Sequence, residues 1–441
     1  RPSTNTSGPA RVTVKFGPTG QQKTFANIQP LTPLPSLDNP LFVYVKPAPD
    51  GHSAVFMIST DATPTGDGQC APTADDCQEL TLAAPKTKEM AGLVKRVVGG
   101  HSYDERLRPG GVANTTRGEG VHRGVGYSIG FKNIGFSSGS KDYSTARVRL
   151  SVSHGEPLVE IHTAAPEVGQ GGIVIQAQIA RTELAVEQVV IQPIDTQIGN
   201  AGSTSASRQT WITGGAVQTT CIAVREAVLA RAKERFNVDT EGCRLVDGEL
   251  VSADGDLMLT LAELVGDEPI EETREYYPRA TEPLDENGQG NVHMAFAFAA
   301  HRAVVDVDTE LGLVRVVQLA CAQDVGKALN PLAIEGQIEG GSAQGLGLAL
   351  MEEIQVDANG FVRNPSFTDY LIPTILDVPP MPMDILELPT PHGPYGLNGV
   401  GEPPTVSSTP AIVAAVRAAT GQPLDRVPIR PVDILGLEAA N

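Results

Sequence analysis

The stretch HMAFAFAAHRAVVDVDTELGLVRVVQLACAQDVGKALNPLAIEGQIEGGSAQGLGLAL, His293–Leu350, sets the expected architecture. Its first sixteen residues are nearly all apolar, the pattern of a long strand covered on both faces. Thr309 to Gly312 supply the turn, and LVRVVQLACAQDVG reads as a second long strand. Asn330-Pro331 then offers a helix cap and a first-turn proline for PLAIEGQIEGGSAQGLGLALMEE. That helix carries Gly336, Gly340, Gly341, Gly345 and Gly347. Each costs up to ~1 kcal/mol relative to alanine, so close approach of a neighbour or ligand is the expected reason. A sheet with helices laid on it gives an α+β fold class, with mixed sheet and helix in the later part of the chain.

Upstream the same character extends to about residue 123. RGVGYSIGFKNIGF and YSTARVRLSVSHGEPLVEIHTAA read as strands, the latter two alternating runs joined at His154-Gly155-Glu156. GGAVQTTCIAVREAVLARAKERF is an amphipathic helix with Val217, Cys221, Val224 and Val228 on one stripe. CRLVDGELVSADGDLMLT turns at Asp247-Gly248. Residues 1–88 are different. RVTVKF, LFVYVKP and SAVFMIST are short β-prone runs punctuated by Pro, Gly and Asp, a small β-rich segment. Residues 89–122 read as a linker, with a short helix in TKEMAGLVKRVVGG from Thr87 and a polar loop after it. The expected organisation is therefore 1–88, 89–122 and 123–441.

With 33 basic and 52 acidic side chains in 441 residues, the formal charge is -19, which disfavours nucleic acid and anionic membranes as partners. No apolar run is long enough for a membrane span. Residues 1–88 hold seven residues of each sign, so the excess falls on the remainder. Cys70 and Cys77 bracket CAPTADDC, which suits a disulfide-closed hairpin in an oxidising compartment. Cys221, Cys243 and Cys321 lie singly in mostly apolar surroundings and read as buried thiols. Arg1 is no initiator methionine, so the natural start is expected upstream.

Four segments carry candidate chemistry: EVGQGG at Glu167–Gly172, GSTSASRQT at Gly202–Thr210, EGGSAQGLG at Glu339–Gly347 and GVGEPP at Gly399–Pro404. Singly, each is more often a turn or a cap. Glu402 is the only charge in GPYGLNGVGEPPTVSST and so is expected to be unpaired. It could serve as a general base, which needs hydrogen-bond reach to its proton, or lie against the dipole of the helix PTVSSTPAIVAAVRAAT. A GxSxG match, GFSSG at Gly135–Gly139, lacks the following helix of a nucleophile elbow and reads as a loop.

In their order, EVGQG, SASRQT before a helix, DVGKALNP with EGGSAQGLG, and NGVGEPP resemble the C-terminal half of the molybdenum-cofactor-binding subunit of xanthine dehydrogenase-type molybdenum hydroxylases. The resemblance covers about Arg123 to Leu437 and looks nearest to bacterial purine-oxidising xanthine dehydrogenases. It implies a molybdopterin or molybdopterin cytosine dinucleotide cofactor. Its molybdenum would be held by the pterin dithiolene, with no metal ligand from this chain. Gly169, Gln170 and Gly171 would approach the pterin; Ser205, Ala206, Ser207, Gln209 and Thr210 would hold pterin and phosphate, as consecutive amides ahead of a helix can. Gln344 would lie near the metal, Gly401 beside the cofactor, and Glu402 would be the general base. The implied reaction hydroxylates an electron-poor C-H carbon of a purine or other N-heterocycle, with water as oxygen source.

This chain has no cysteine pattern for a 2Fe-2S cluster and no dinucleotide fingerprint. The resemblance therefore places 2Fe-2S and FAD on partner chains, in a cytoplasmic hetero-oligomer, a location at odds with the secreted look of Cys70 and Cys77. It also implies a chain supplying the family's first half. Either the cofactor subunit is divided between polypeptides, or residues 1–88 belong to a different gene product. Alternatives are a non-catalytic cofactor-holding or assembly half-subunit, and a hydroxylase of nicotinate-like heterocycles or aldehydes.

Overall fold

A computed structural model describes residues 120–390 and 392–437 in full and, before them, the backbone of seven short strands. The chain divides into two compact units, Arg1–Arg106 and Leu107–Asn441. In the first, β1 (Val12–Phe16) pairs with β2 (Lys23–Ile28), and β3 (Pro33–Leu34), β4 (Phe42–Pro47) and β5 (Ala54–Met57) form a second antiparallel sheet. The hairpin expected in CAPTADDC is β6 (Pro72–Thr73) with β7 (Asp76–Cys77). The cysteine pairing expected there and the helix expected from Thr87 lie outside the described residues.

The second unit holds two four-stranded mixed sheets. One has the order β11-β10-β9-β15, from β9 (Ser144–Ser153), β10 (Glu156–Thr163), β11 (Gln188–Ile191) and β15 (Ile270–Tyr276). The expected turn is tight: His154 and Gly155 both have positive φ, 54° and 83°, and bring Glu156 opposite Ser153. Helices α1 (Gly172–Leu184) and α2 (Gln209–Phe236) belong to this sheet's core. Val148, Leu150, Val159, Ile161, Ile179 and Leu184 meet the stripe read from the sequence, Val217, Cys221, Val224 and Val228, all of it fully buried. The Asp247-Gly248 turn joins β12 (Arg244–Val246) to β13 (Glu249–Val251), with β14 (Leu257–Thr260) alongside and the short α3 (Leu261–Val265) after it.

The other sheet has the order β18-β17-β16-β8. Strand β16 (Ala295–Asp308) is buried along almost its whole length, as its apolar run requires, between β8 (Val121–Ile134) and β17 (Leu313–Asp324). β18 (Met383–Leu386) lies parallel to β17. Strand β8 thus joins β16, which begins 161 residues after β8 ends, rather than its sequence neighbour β9; the loop containing GFSSG carries the chain between sheets.

Helix α4 (Pro331–Leu350) starts as its sequence requires: Asn330 Oδ1 accepts the Ala333 N-H at 3.1 Å, and Pro331 takes the first turn. Helix α5 (Pro403–Thr420) packs against β8, β16 and α4, and α6 (Pro431–Leu435) closes the described chain. Strand β8 lets α5 come to backbone contact. A Cβ at Gly126 would lie 2.2 Å from the Ala415 nitrogen. Of the helix glycines, Gly345 serves the same end, the neighbour half of the expectation: a Cβ there would stand 1.8 Å from Ser408 Oγ of α5, whereas at Gly336 and Gly340 it would meet nothing within 4 Å.

Candidate functional site

The loop ahead of α2 is built on a buried cation. Arg208 has no solvent exposure; its Nε and Nη2 bind Asp142 at 2.5–3.1 Å, and its Nη1 donates to the carbonyls of Ala201 and Ser203. Its guanidinium lies 4.8 Å from the Phe136 ring centroid. Such a charge is tolerable because nearly every donor is matched. Beside it, Gln209 gives Nε2 to the same two carbonyls and accepts from Thr213 at Oε1. The amide of Gln209 is thus spent on shaping the loop.

So anchored, the loop turns sharply. Ala206 and Ser207 both have positive φ, 62° and 47°, strain of a kind that clusters at functional sites. The turn aims the Ala206 N-H and the Ser207 hydroxyl at one group, the Glu402 carboxylate: Ala206 N donates to Oε1 at 3.1 Å and Ser207 Oγ to Oε2 at 3.0 Å. Ser207 Oγ also accepts the Glu402 N-H at 3.1 Å. Gly399 permits this approach, since a Cβ there would be 2.0 Å from the Ser207 carbonyl oxygen. Glu402 is the residue preceding α5, yet its carboxylate does not cap that helix. Nor is it unpaired, correcting the sequence expectation: Lys132 Nζ, from β8, lies 2.9 Å from Oε2. Local sequence could not show a partner 270 residues away.

Gln170 folds into its own turn, accepting the Val168 N-H at Oε1 and donating Nε2 to the Pro166 carbonyl. Gly169 and Gly171 have φ of 101° and 82°. Glu167, which sequence reasoning passed over, occupies the amides at the start of α1: Oε1 accepts from Gly169 and Gly171, Oε2 from Ile173. Burial pushes its pKa up, but the backbone N-H groups of Ile173, Gly171, Gly169 and Gly172 outweigh it and hold the carboxyl below its usual range. The available signal was a carboxylate just before two turn glycines and a helix.

A cleft lies between these segments, lined among others by Gln170, Thr210, Asn330, Gln337, Asn398 and Lys327. Gln170 and Thr210 therefore share one wall region, as do the first turns of α4. Gln209 lines a smaller neighbouring cleft with Gln170 and Thr210. Glu402 and Gln344 line neither cleft. Gln337 bridges the two areas, its Oε1 standing 3.2 Å from where a Gly401 Cβ would be. Gln344 is exposed on α4, and its Oε1 accepts from Thr405 Oγ1 at 3.3 Å. Ser205 pairs with Ser203 at 2.5 Å, on the exposed side of the loop.

Beneath the site, His301 of β16 is fully buried between Ser342 of α4 and Ser407 of α5, at 2.9 Å from each, with its pKa lowered by burial to about 3. Cys221 and Cys321 are buried with thiol pKa values raised by desolvation, as the sequence reading implied, while Cys243 is partly exposed.

The sequence profile of the family described as molybdopterin cofactor-binding domain matches residues 100–379. A probable xanthine dehydrogenase subunit from Bacillus subtilis is 32% identical over 325 residues, covering 71% of this chain and 42% of the relative. A putative xanthine dehydrogenase molybdenum-binding subunit of Escherichia coli is 29% identical over 281 residues, covering 62% and 37%. The solved quinoline 2-oxidoreductase of Pseudomonas putida superposes with a TM-score of 0.63 at 30% identity, over 72% of this chain and 42% of that one. The chain spans about two fifths of the length of these relatives.

Proposed function

The chain belongs to the molybdopterin cofactor-binding domain family, and from that premise we propose that it forms part of the molybdenum site of a hydroxylase acting on an electron-poor C-H carbon of an N-heterocycle. The observation that carries the reading is the convergence of the strained 205–207 turn, Lys132 and the lone carboxylate of GVGEPP on one point.

The residues suit such a cofactor. The cleft offers amide and hydroxyl groups, with Lys327, itself ion-paired to Glu387 at 2.7 Å, on its lining, for a polar pterin bearing phosphate. The positive-φ turn at Gly169 and Gly171 and the side-chain-free positions Gly336, Gly340 and Gly401 let a flat ligand come close to backbone. Gln170, Thr210, Gln337 and Asn398 would hold the pterin, with Ser205, Ala206 and Ser207 at its edge, Gln209 stiffening their loop and Gln344 on the α4 side. Whether the form is molybdopterin or its cytosine dinucleotide is part of the proposal's test. When bound, the cofactor supplies a molybdenum centre able to accept two electrons from substrate.

Glu402 takes the proton released by the water that becomes the product hydroxyl. Oε2 accepts from the Ser207 hydroxyl and faces the Lys132 ammonium, while Oε1 accepts from the Ala206 amide alone, so Oε1 keeps a lone pair for that proton. A well-placed base contributes ~100- to 10,000-fold. The balance is substrate C-H plus water giving C-OH, two protons and two electrons. The electrons leave to 2Fe-2S and FAD groups on partner chains, and a further chain supplies the remainder of the molybdenum site. The likeness to xanthine dehydrogenase and quinoline 2-oxidoreductase chains favours a purine or similar heterocycle.

Molybdenum, pterin and nucleotide analysis of the purified assembly tests the cofactor, and a panel of hypoxanthine, xanthine, nicotinate and aromatic aldehydes with an artificial electron acceptor tests the substrate. Turnover of a purine with molybdenum present is expected. Molybdenum without turnover of any compound would replace the hydroxylase by a cofactor-holding half-subunit. Glu402→Gln is expected to abolish turnover with molybdenum content retained.

A further inference from the structure

We infer that Lys132 is a positioning residue for Glu402, fixing which oxygen of the carboxylate is left to take a proton. The inference rests on the reading of Glu402 as the base.

Lys132 comes from outside the cofactor motifs. It sits near the end of β8, paired in register with Ala297 of β16, two residues before the fully buried Ile134. Its ammonium is ion-paired with Glu402 Oε2 at 2.9 Å and donates to the Asn133 carbonyl at 2.7 Å and to Asn133 Oδ1 at 3.3 Å. Asn133 in turn donates Nδ2 to the Gly135 carbonyl, and the Gly135 N-H donates to the Ala206 carbonyl. The strand end that carries Lys132 is therefore tied to the same turn that presents the Ala206 N-H. Isolated ion pairs at a surface contribute little because both side chains wander. Here both ends are held, the carboxylate by two further donors and the ammonium by two acceptors.

The result is an asymmetric grip. Ser207 and Lys132 converge on Oε2, and Oε1 has the Ala206 amide alone. Arg208 and Asp142 are spent on one another, and His301 is bonded to Ser342 and Ser407. Lys132 is the cation, among the described residues, within ion-pair distance of the carboxylate.

The test uses the complete purified assembly with Lys132→Met, which keeps the stem and deletes the charge, and Lys132→Arg. Lys132→Met is expected to lower kcat about 10- to 100-fold, the scale of a misplacement near 1 Å, with KM and molybdenum content unchanged. Lys132→Arg is expected to recover most of that loss. A crystal structure of the Lys132→Met assembly should show the Glu402 carboxylate turned away from Ala206 N. A kcat within twofold of the parent, a rise in KM instead, an arginine variant as impaired as the methionine one, or an unmoved carboxylate would each overturn the inference. Glu402→Gln separates the two readings: retained turnover there would remove the base, while the crystal structure still decides whether Lys132 holds the carboxylate.

Discussion

The two four-stranded sheets of the second unit hold their helices in different ways. The β9–β10 sheet meets α1 and α2 through large aliphatic side chains, Val148, Leu150, Ile161, Ile179 and Val224 among them. The β16–β8 sheet also packs side chains on α5, Val305, Val307, Ile412 and Val416 among them, but along β8 it meets backbone: Gly124 and Gly126 face Ala411, Ala415 and Ala419, and α4 meets α5 at Gly341 and Gly345. An aliphatic interface can repack; one made of backbone cannot. The second arrangement also carries the proposed base at the start of α5, so its tightness fixes where Glu402 stands. The contrast teaches that rigidity in this molecule is concentrated next to the chemistry.

Substitutions that ignore the contrast should break it most visibly. Gly126→Val places three carbons where even a Cβ would be 2.2 Å from the Ala415 nitrogen. It is expected to exceed the ~3 kcal/mol usual for overpacking and to leave little folded protein, measured by soluble yield and circular dichroism. The junction between the two sheets comes next. Asp142→Ala strands the Arg208 guanidinium in a site with no solvent exposure, a loss of about 3–5 kcal/mol read from the urea midpoint, with molybdenum content falling as the 201–207 loop loosens. In the aliphatic sheet, Leu150→Ala should cost ~2–5 kcal/mol, whereas Leu150→Met should cost under ~1.5 kcal/mol. If Leu150→Met proved as damaging as Gly126→Val, the contrast would fail.

Acid sensitivity sharpens the comparison at smaller scale. His301 is held neutral by burial, with a pKa near 3. In the unfolded chain it takes a proton near pH 6.5, so stability is unaffected above that pH and falls as pH drops below it, by ~1.4 kcal/mol per unit until about pH 3. Urea midpoints from pH 7 to 5 should fall less steeply in His301→Gln than in the parent. The side-chain groups meeting His301 are both serine hydroxyls, so no neighbouring carboxylate supplies a competing shift through those contacts.

The aliphatic sheet was legible because its signals are local. Alternation in Tyr143–Ala165, the stripe Val217, Cys221, Val224 and Val228, and the turns at His154 and Asp247 all stand where the residues imply. The glycine-rich packing was only half legible: the helix glycines announced close approach, but no local pattern says that the neighbour is another helix. The candidate site divides in the same way. Gln170, Thr210 and Glu402 sit in motifs that stand out in sequence, as does Glu167, whose role there was missed, whereas Lys132 and Asp142 sit in stretches that look ordinary.

By itself the sequence determined the elements, the buried strand β16, the capped start of α4, and the set of motifs that mark the family, because each depends on residues within a few turns of one another. Only the tertiary structure decided that β8 pairs with β16 across the chain, that Arg208 and Asp142 set the strained turn, and that Glu402, solitary in sequence, is gripped by Ala206, Ser207 and Lys132. Those are relations between distant segments, and charge pairing depends on distance in space rather than along the chain.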